Sequence, residues 1–109
     1  MNIDKTLEVA KKIITEEIEK TRFKVLKILL FGSRTKDTYK KDSDWDFYVI
    51  VNDDIDFGER WEIILRIKRR LAQFEIPNDI IINSVKWVNK YHNDVGRITY
   101  YALKKGIEI

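Results

Sequence analysis

Residues 28–51 decide the fold of this chain, and they read ILLFGSRTKDTYKKDSDWDFYVIV. The apolar and β-branched residues at both ends of this stretch predict strands over 23–31 and 45–51. The first strand ends in a continuous apolar run, which is typical of a central strand covered on both faces. Gly32 ends that strand, and the polar segment 33–42 predicts a loop or a short helix before the second strand begins.

The rest of the chain adds helices and further strands. Hydrophobic periodicity predicts helices over 2–20, 57–75, 85–92 and 94–104, a strand over 79–83, and a short strand or tail over 107–109. On the second long helix, the residues predicted to be buried are Phe57, Trp61, Ile63, Ile64, Leu65, Ile67, Leu71 and Ala72. This order of elements predicts an α/β (α+β) fold, in which helices pack on a small mixed β-sheet.

Size and composition narrow the class of protein. With 109 residues, the chain has the length of a single domain, 1–109, with one hydrophobic core. It contains no cysteine, which excludes a disulfide framework and a thiolate metal site. The net charge is +3, but acids are interspersed among the basic residues, so nucleic-acid binding is not strongly indicated. The longest apolar run, 28–31, is too short to span a bilayer, and we expect a cytoplasmic protein without membrane insertion.

Three aspartates are placed to meet at one site. Asp44 and Asp46 are two residues apart at the start of a predicted strand, so their side chains point to the same face. Asp79 opens the next apolar strand, and it reaches the same point if the two strands are neighbours. Carboxylates this close repel one another unless a cation lies between them, and Mg²⁺ prefers such oxygen ligands. The three acids therefore predict a magnesium site for in-line displacement at phosphorus.

The glycine turn that precedes these acids predicts a phosphate site. Gly32 has no Cβ, so its backbone can approach a ligand closely. Ser33 offers a hydroxyl and an N–H where a short helix would begin, a position that favours anions. Arg34 or Lys36 could neutralise phosphate charge. We therefore expect these four residues to bind a nucleotide.

Each of these features has an ordinary structural explanation when it is taken alone. A Gly-Ser pair after a strand is usually only a turn, acids at a strand start are usually solvated, and Asp79 follows Pro77 in a turn context. An EF-hand is excluded because Phe47 and Asp53 occupy the positions that need glycine and glutamate, and the Walker P-loop pattern is absent. The joint occurrence of the turn and the acids favours one functional or formerly functional site over these separate explanations.

The segment Gly32-Ser33-Arg34-Thr35-Lys36, followed by Asp44-Trp45-Asp46, resembles the Gly-Ser…Asp-x-Asp signature of the DNA polymerase β-like nucleotidyltransferase superfamily. The short chain, the late Asp79 and the terminal segment 100–106 (YYALKKG) resemble its minimal nucleotidyltransferase branch, the MNT domain. This resemblance implies the nucleotidyltransferase fold. It also implies that Gly32 and Ser33 hold a nucleoside triphosphate, that Asp44 and Asp46 bind Mg²⁺, and that Asp79 completes the metal site and helps to activate the acceptor hydroxyl.

The resemblance also implies a reaction and a partner. The reaction is the transfer of a nucleoside monophosphate, AMP from ATP, with release of pyrophosphate. Domains of this branch pair with a HEPN-domain ribonuclease toxin, and the nucleotidyltransferase is the antitoxin that adenylylates a toxin tyrosine. Because the chain is small for an enzyme that holds both nucleotide and acceptor, we expect a partner subunit or a homo-oligomer to complete the cleft.

The segment that begins at Gly32 departs from the family pattern Gly-Ser-Arg-Ala-Arg-Gly. Asp37 stands where the pattern has its second glycine, and Thr35 stands at the alanine. An acid close to the phosphates would repel them unless it faced away. Asp37 therefore keeps open the alternative of a catalytically weak or inactive antitoxin that neutralises its partner by binding alone. A nucleic-acid-binding adaptor is a further alternative, which rests only on the pI and the scattered Lys and Arg residues.

Overall fold

The computed structural model describes residues 2–36 and 39–109. In chain order, the elements are α1 (Ile3–Glu19), β1 (Val25–Phe31), a short 3-10 helix (Gly32–Thr35), β2 (Trp45–Val51), α2 (Phe57–Gln73), β3 (Asn78–Ser84), α3 (Val85–Tyr91), α4 (Ile98–Lys105) and β4 (Ile107–Glu108). The helix predicted over 94–104 begins only at Ile98, because Asp94 forms a turn before it. The Asp94 carboxylate accepts hydrogen bonds from the Gly96 N–H at 3.1 Å and from Arg97 Nε at 3.2 Å.

The four strands form one mixed sheet in the order β3-β2-β1-β4. Strand β1 is antiparallel to both β2 and β4, whereas β2 is parallel to β3. A parallel pair needs a crossover connection, and α2 provides it. The predicted mixed sheet with helices packed on it is therefore confirmed, and β1 and β2 are its central strands.

Side chains cap the starts of three helices. Asn2 Oδ1 accepts a hydrogen bond from the Lys5 N–H at 2.8 Å, and Asp56 Oδ1 accepts one from the Glu59 N–H at 3.0 Å. Ser84 Oγ accepts a hydrogen bond from the Trp87 N–H at 3.1 Å. These oxygens satisfy N–H groups that have no partner inside the helix, which sets where each helix begins.

Helices cover both faces of the central strands, so the continuous apolar runs of the sequence are explained. On one face, side chains of β1 and β2 pack with α1 and α2; the strand residues are Ile28, Leu30, Trp45, Phe47, Val49 and Val51. On the other face, they pack with α3 and α4; these strand residues are Leu29, Phe31, Tyr48 and Ile50. The alternation follows from the two-residue period of a strand.

The buried face of α2 differs from the prediction. Ile63, Ile64, Ile67 and Leu71 are buried, whereas the predicted core residues Phe57, Trp61 and Leu65 are 75%, 53% and 39% exposed, and Ala72 is exposed as well. The exposed apolar residues recur every four positions and form a stripe beside the buried one. Both stripes have helical spacing, so periodicity alone could not separate them.

A buried acid joins α1 to α2. The Glu17 side chain is only 2% exposed, and its carboxylate oxygens lie 2.8 Å from Lys20 Nζ, 2.9 Å from Arg70 Nη1 and 3.4 Å from Arg66 Nε. Burial alone would raise the pKa of Glu17, but the hydrogen bonds and charges of Lys20 and Arg70 outweigh it and hold that pKa below its usual range. The ion cluster therefore fixes one helix to the other in a charge-balanced contact.

No helix in the part of the chain that the structure describes is both long and apolar enough to cross a membrane.

Candidate active site

The predicted acids gather at the edge of the sheet where β1 ends and where β2 and β3 begin. Asp46 is aligned with Asp79 in the parallel pair and with Phe31 in the antiparallel pair. Asp44 lies just before β2 and is exposed. Trp45, between the two acids, is buried in the core on the α1 and α2 face, so the Asp46 side chain points to the opposite face.

The pKa of Asp46 reflects its partial burial and the acidic residues around it. Partial burial raises the pKa of this carboxyl, and the negative charges of Asp79 and Asp44 raise it further. A neighbouring carboxylate has this effect only when it lies close enough to repel the ionised form. Both of the charged groups that shift the pKa of Asp46 are thus acids.

The donors of this cluster fit a divalent ion in chemistry and in charge. Three carboxylates are hard oxygen ligands of the type that Mg²⁺ takes, and a cation among them would remove their repulsion. Over residues 2–36 and 39–109, no three acidic or histidine side chains are gathered tightly enough to form a ready-made metal cluster. Binding a metal at Asp44, Asp46 and Asp79 would therefore require their oxygens to approach one another.

The glycine turn is pressed against the central acid. Gly32 has φ +78°, in the left-handed region that favours glycine, and a Cβ placed on it would overlap the Asp46 carboxylate. Thr35 Oγ1 donates a hydrogen bond to the Gly32 carbonyl at 2.7 Å, which closes the short 3-10 helix. Glycine is thus required both by the backbone conformation and by the contact, and the turn lies directly beside the acids.

The turn also forms one wall of a cleft of about 610 Å³. Phe31, Gly32, Ser33, Thr35 and Lys36 line one side of this cleft, and Tyr101, Lys105 and Ile107 line the other. The structure thus brings three of the predicted nucleotide-binding residues, Gly32, Ser33 and Lys36, to one cavity beside the acids. Sequence reasoning missed the α4 wall, because only the sheet pairing of β4 brings the chain end next to the turn.

Arg34 is turned away from this cleft. Its Nε and Nη2 donate hydrogen bonds to the Ser43 carbonyl at 3.0 and 2.8 Å, and Nη2 donates to the Lys41 carbonyl at 2.9 Å. Its guanidinium also lies 4.6 Å from the Tyr39 ring centroid and 4.4 Å from that of Trp45. Arg34 therefore holds the loop that leads into Asp44, and the structure does not bring it together with the other predicted phosphate ligands.

A larger cleft, of about 1220 Å³, lies beside Arg34 and Trp45, between the start of α1 and the segment that leads into β3. None of the three aspartates lines either cleft, but the smaller one is formed in part by Gly32, which lies against the Asp46 carboxylate. Asp37, the departure from the family pattern, lies outside the described residues.

Comparison with known proteins supplies a family. The family model described as polymerase beta, nucleotidyltransferase matches residues 11–109, which is most of the chain. No curated protein matches the sequence.

Several solved structures contain a chain with a similar fold. A chain from a mutant of the toxin-antitoxin complex MntA-HpeT matches with a TM-score of 0.54 and 19% identity, covering 99% of this chain and 72% of that one. A toxin-antitoxin structure with AMP-PNP matches at 0.54 and 20%, covering 90% and 70%. The structure of the tri-AMPylated Shewanella oneidensis HEPN toxin in complex with MNT antitoxin matches at 0.52 and 18%, covering 94% and 70%. At such identities these matches establish the fold.

Proposed function

The chain belongs to the polymerase beta nucleotidyltransferase family, and we propose that it is a Mg²⁺-dependent enzyme that transfers AMP from ATP to an acceptor hydroxyl. The observation that carries this proposal is that the glycine turn and the acids meet where β1 ends and where β2 and β3 begin. Gly32 rests on the Asp46 carboxylate, and Asp46 is aligned with Asp79 on the neighbouring strand. The turn offers phosphate contacts next to acids that need a cation, which is the pairing that phosphoryl chemistry uses.

In the proposed reaction, the acceptor oxygen attacks the α-phosphorus of ATP, and the bond from that phosphorus to the bridging oxygen of pyrophosphate breaks. Gly32, Ser33 and Lys36 hold the triphosphate, and Asp44, Asp46 and Asp79 are the proposed ligands of Mg²⁺. When bound, the ion would neutralise charge on the reacting phosphate and orient it. Asp79, which is exposed at the start of β3, helps to take the proton of the acceptor hydroxyl.

The acceptor that we propose is a tyrosine of a HEPN-domain toxin, with this chain as its antitoxin. Support comes from the similar chains, which belong to toxin-antitoxin complexes, one of them with AMP-PNP and one with a tri-AMPylated toxin. We propose that residues 1–109 form one minimal domain, acting in the cytoplasm, with the toxin or a second copy of the chain completing the cleft.

A second candidate is an antitoxin that neutralises its toxin by contact alone. Asp37 favours it, because an acid replaces the glycine of the family pattern beside the phosphate turn. In this case the acids would be a remnant, and their removal would leave neutralisation intact.

Incubation of the chain and its cognate HEPN protein with α-labelled ATP and Mg²⁺ separates these candidates. We expect label on the toxin with the wild type and a loss of about 100-fold or more for Asp46→Asn. Asp53→Asn is the matched control, because Asp53 is exposed and lies just beyond the far end of β2. Equal labelling of the toxin by wild type and Asp46→Asn would overturn the proposal that this chain is an enzyme. Neutralisation without any label would support the second candidate.

A further inference from the structure

Two basic side chains near the turn line the cleft, whereas the three aspartates lie outside it. In the sheet, β1 lies between β2, which carries Asp46, and β4. Lys36 and Lys105 line the cleft together with the turn, whereas none of the three aspartates does; Asp46 lies on β2 and Asp79 on β3, on the side of β1 away from β4. A phosphate chain laid over Gly32 and Ser33 would therefore have lysines on one side and the proposed metal ligands on the other.

The α4 wall of the cleft is anchored to the sheet. The Tyr48 hydroxyl and Thr99 Oγ1, both on buried residues, lie 2.6 Å apart and share a hydrogen bond. At the other end of α4, a Cβ on Gly106 would overlap the Ala102 carbonyl and would lie 3.2 Å from Leu29 Cβ. Because α4 is tied to β1 and β2 in this way, the side chains that it presents to the cleft have a fixed position relative to the turn.

Tyr101 supplies an aromatic surface on that wall. It is 50% exposed and lines the same cleft as Gly32 and Ser33. The Tyr100 ring meets it edge-on, with centroids 5.2 Å apart and an interplanar angle of 89°, which orients the Tyr101 ring. Phe31 and Ile107 add apolar surface to the same cavity. A volume of about 610 Å³ with a few polar groups is typical of a small-molecule site.

From this arrangement, and resting on the proposed function, we propose that α4 forms the nucleoside-binding wall of the site: Tyr101 stacks on the base of ATP, and Lys105 contacts its phosphates. Aromatic rings bind bases through their faces, and an ammonium group attracts phosphate. The base would thus be held by α4, on the wall that faces the turn.

Equilibrium binding tests this proposal without turnover. We would measure the dissociation constants of ATP and of inorganic tripolyphosphate, each with Mg²⁺, for wild type and variants. Tyr101→Ala should weaken ATP binding about 10-fold and leave tripolyphosphate binding unchanged, and Tyr101→Phe should restore ATP binding. Lys105→Ala should weaken both ligands. Lys86→Ala is the control, because Lys86 is an exposed lysine on α3 and does not line the cleft.

Wild-type affinity of Tyr101→Ala for ATP, in a variant whose melting temperature is unchanged, would overturn the proposal. So would weakened binding of the HEPN protein with unchanged ATP binding, since the wall would then be a protein contact, and so would a wild type that binds no ATP. If ATP binding responds as expected but no label is transferred, the nucleoside wall stands and the proposed transferase reaction fails.

Discussion

Two acids of this molecule are withdrawn from solvent in opposite surroundings. Glu17 faces Lys20, Arg66 and Arg70; burial would raise its pKa, but Lys20 and Arg70 outweigh that effect and lower it. Asp46 is partly buried, and its pKa is raised by that burial and by two neighbouring acids, among which Asp79 has the larger effect. The charges that lower the pKa of Glu17 are positive, whereas the charges that raise the pKa of Asp46 are both negative. This difference separates a structural acid from a candidate catalytic acid.

The largest effect should come from neutralising Asp46. We expect Asp46→Asn to lower nucleotidyl transfer about 100-fold or more, because it removes a proposed metal ligand. The same change should leave the melting temperature equal or higher, because it also removes a repelling charge. Transfer assays and thermal denaturation measured on one preparation check both results. A variant that keeps its activity, or that unfolds at a lower temperature, would contradict the assignment.

Gly32→Ala should disturb the same acid through the backbone. The methyl group would occupy the space of the Asp46 carboxylate at a positive φ, so we expect a loss of about 1–3 kcal/mol in the free energy of unfolding together with reduced transfer. Gly58→Ala is the control, because it lies in α2 and its added Cβ would meet only Asp56 Oδ1 at 3.7 Å. That variant should be as stable as the wild type or more so. An unaffected Gly32→Ala would refute the close contact.

Glu17→Gln should lower stability and leave transfer unchanged, which is the reverse of the result expected for Asp46→Asn. Removing the buried charge leaves Arg66, Arg70 and Lys20 facing a neutral side chain, so we expect a loss of about 1–3 kcal/mol, a range limited by the partial exposure of the basic groups. Transfer per folded molecule should be unchanged, because α1 and α2 pack on the opposite face of the sheet from Asp46. Denaturant titration and active-site-normalised rates check this. Loss of transfer without loss of stability would reverse the roles of the two acids.

Glu17 and Asp46 should affect the pH dependence of the free energy of unfolding in opposite directions. The pKa of Glu17 lies below its ordinary value of 4.5, so its stabilising contribution is present above that pH and is lost on acidification toward the folded-state pKa. The pKa of Asp46 lies above its ordinary value of 3.8, so its contribution is favourable at low pH and is lost as the pH rises through the folded-state pKa.

Compared with the wild type, Glu17→Gln should therefore lose less stability on acidification. Asp46→Asn should gain most at neutral pH, without Mg²⁺. Melting curves at several pH values test both signs, and parallel curves for the three proteins would contradict them.

The sheet, and the encounter of Asp46 with Asp79, could be predicted from sequence because both rest on strand periodicity and a crossover helix. The direction of Arg34 could not, since a side chain in a turn follows contacts with Tyr39, Trp45 and distant carbonyls that no local pattern encodes. The contact of Gly32 with Asp46 and the α4 wall of the cleft were missed for a different reason. Both depend on the register of β1 against β2 and against β4, which the sequence pattern does not specify.

The most direct test is a crystal structure of the chain with Mg²⁺ and a non-hydrolysable ATP analogue. We predict a magnesium ion about 2.0–2.1 Å from oxygens of Asp46 and of at least one other of the three aspartates, with phosphates over Gly32 and Ser33. A nucleotide bound elsewhere, or bound at the turn with the aspartate oxygens pointing apart and no ion among them, would contradict the account.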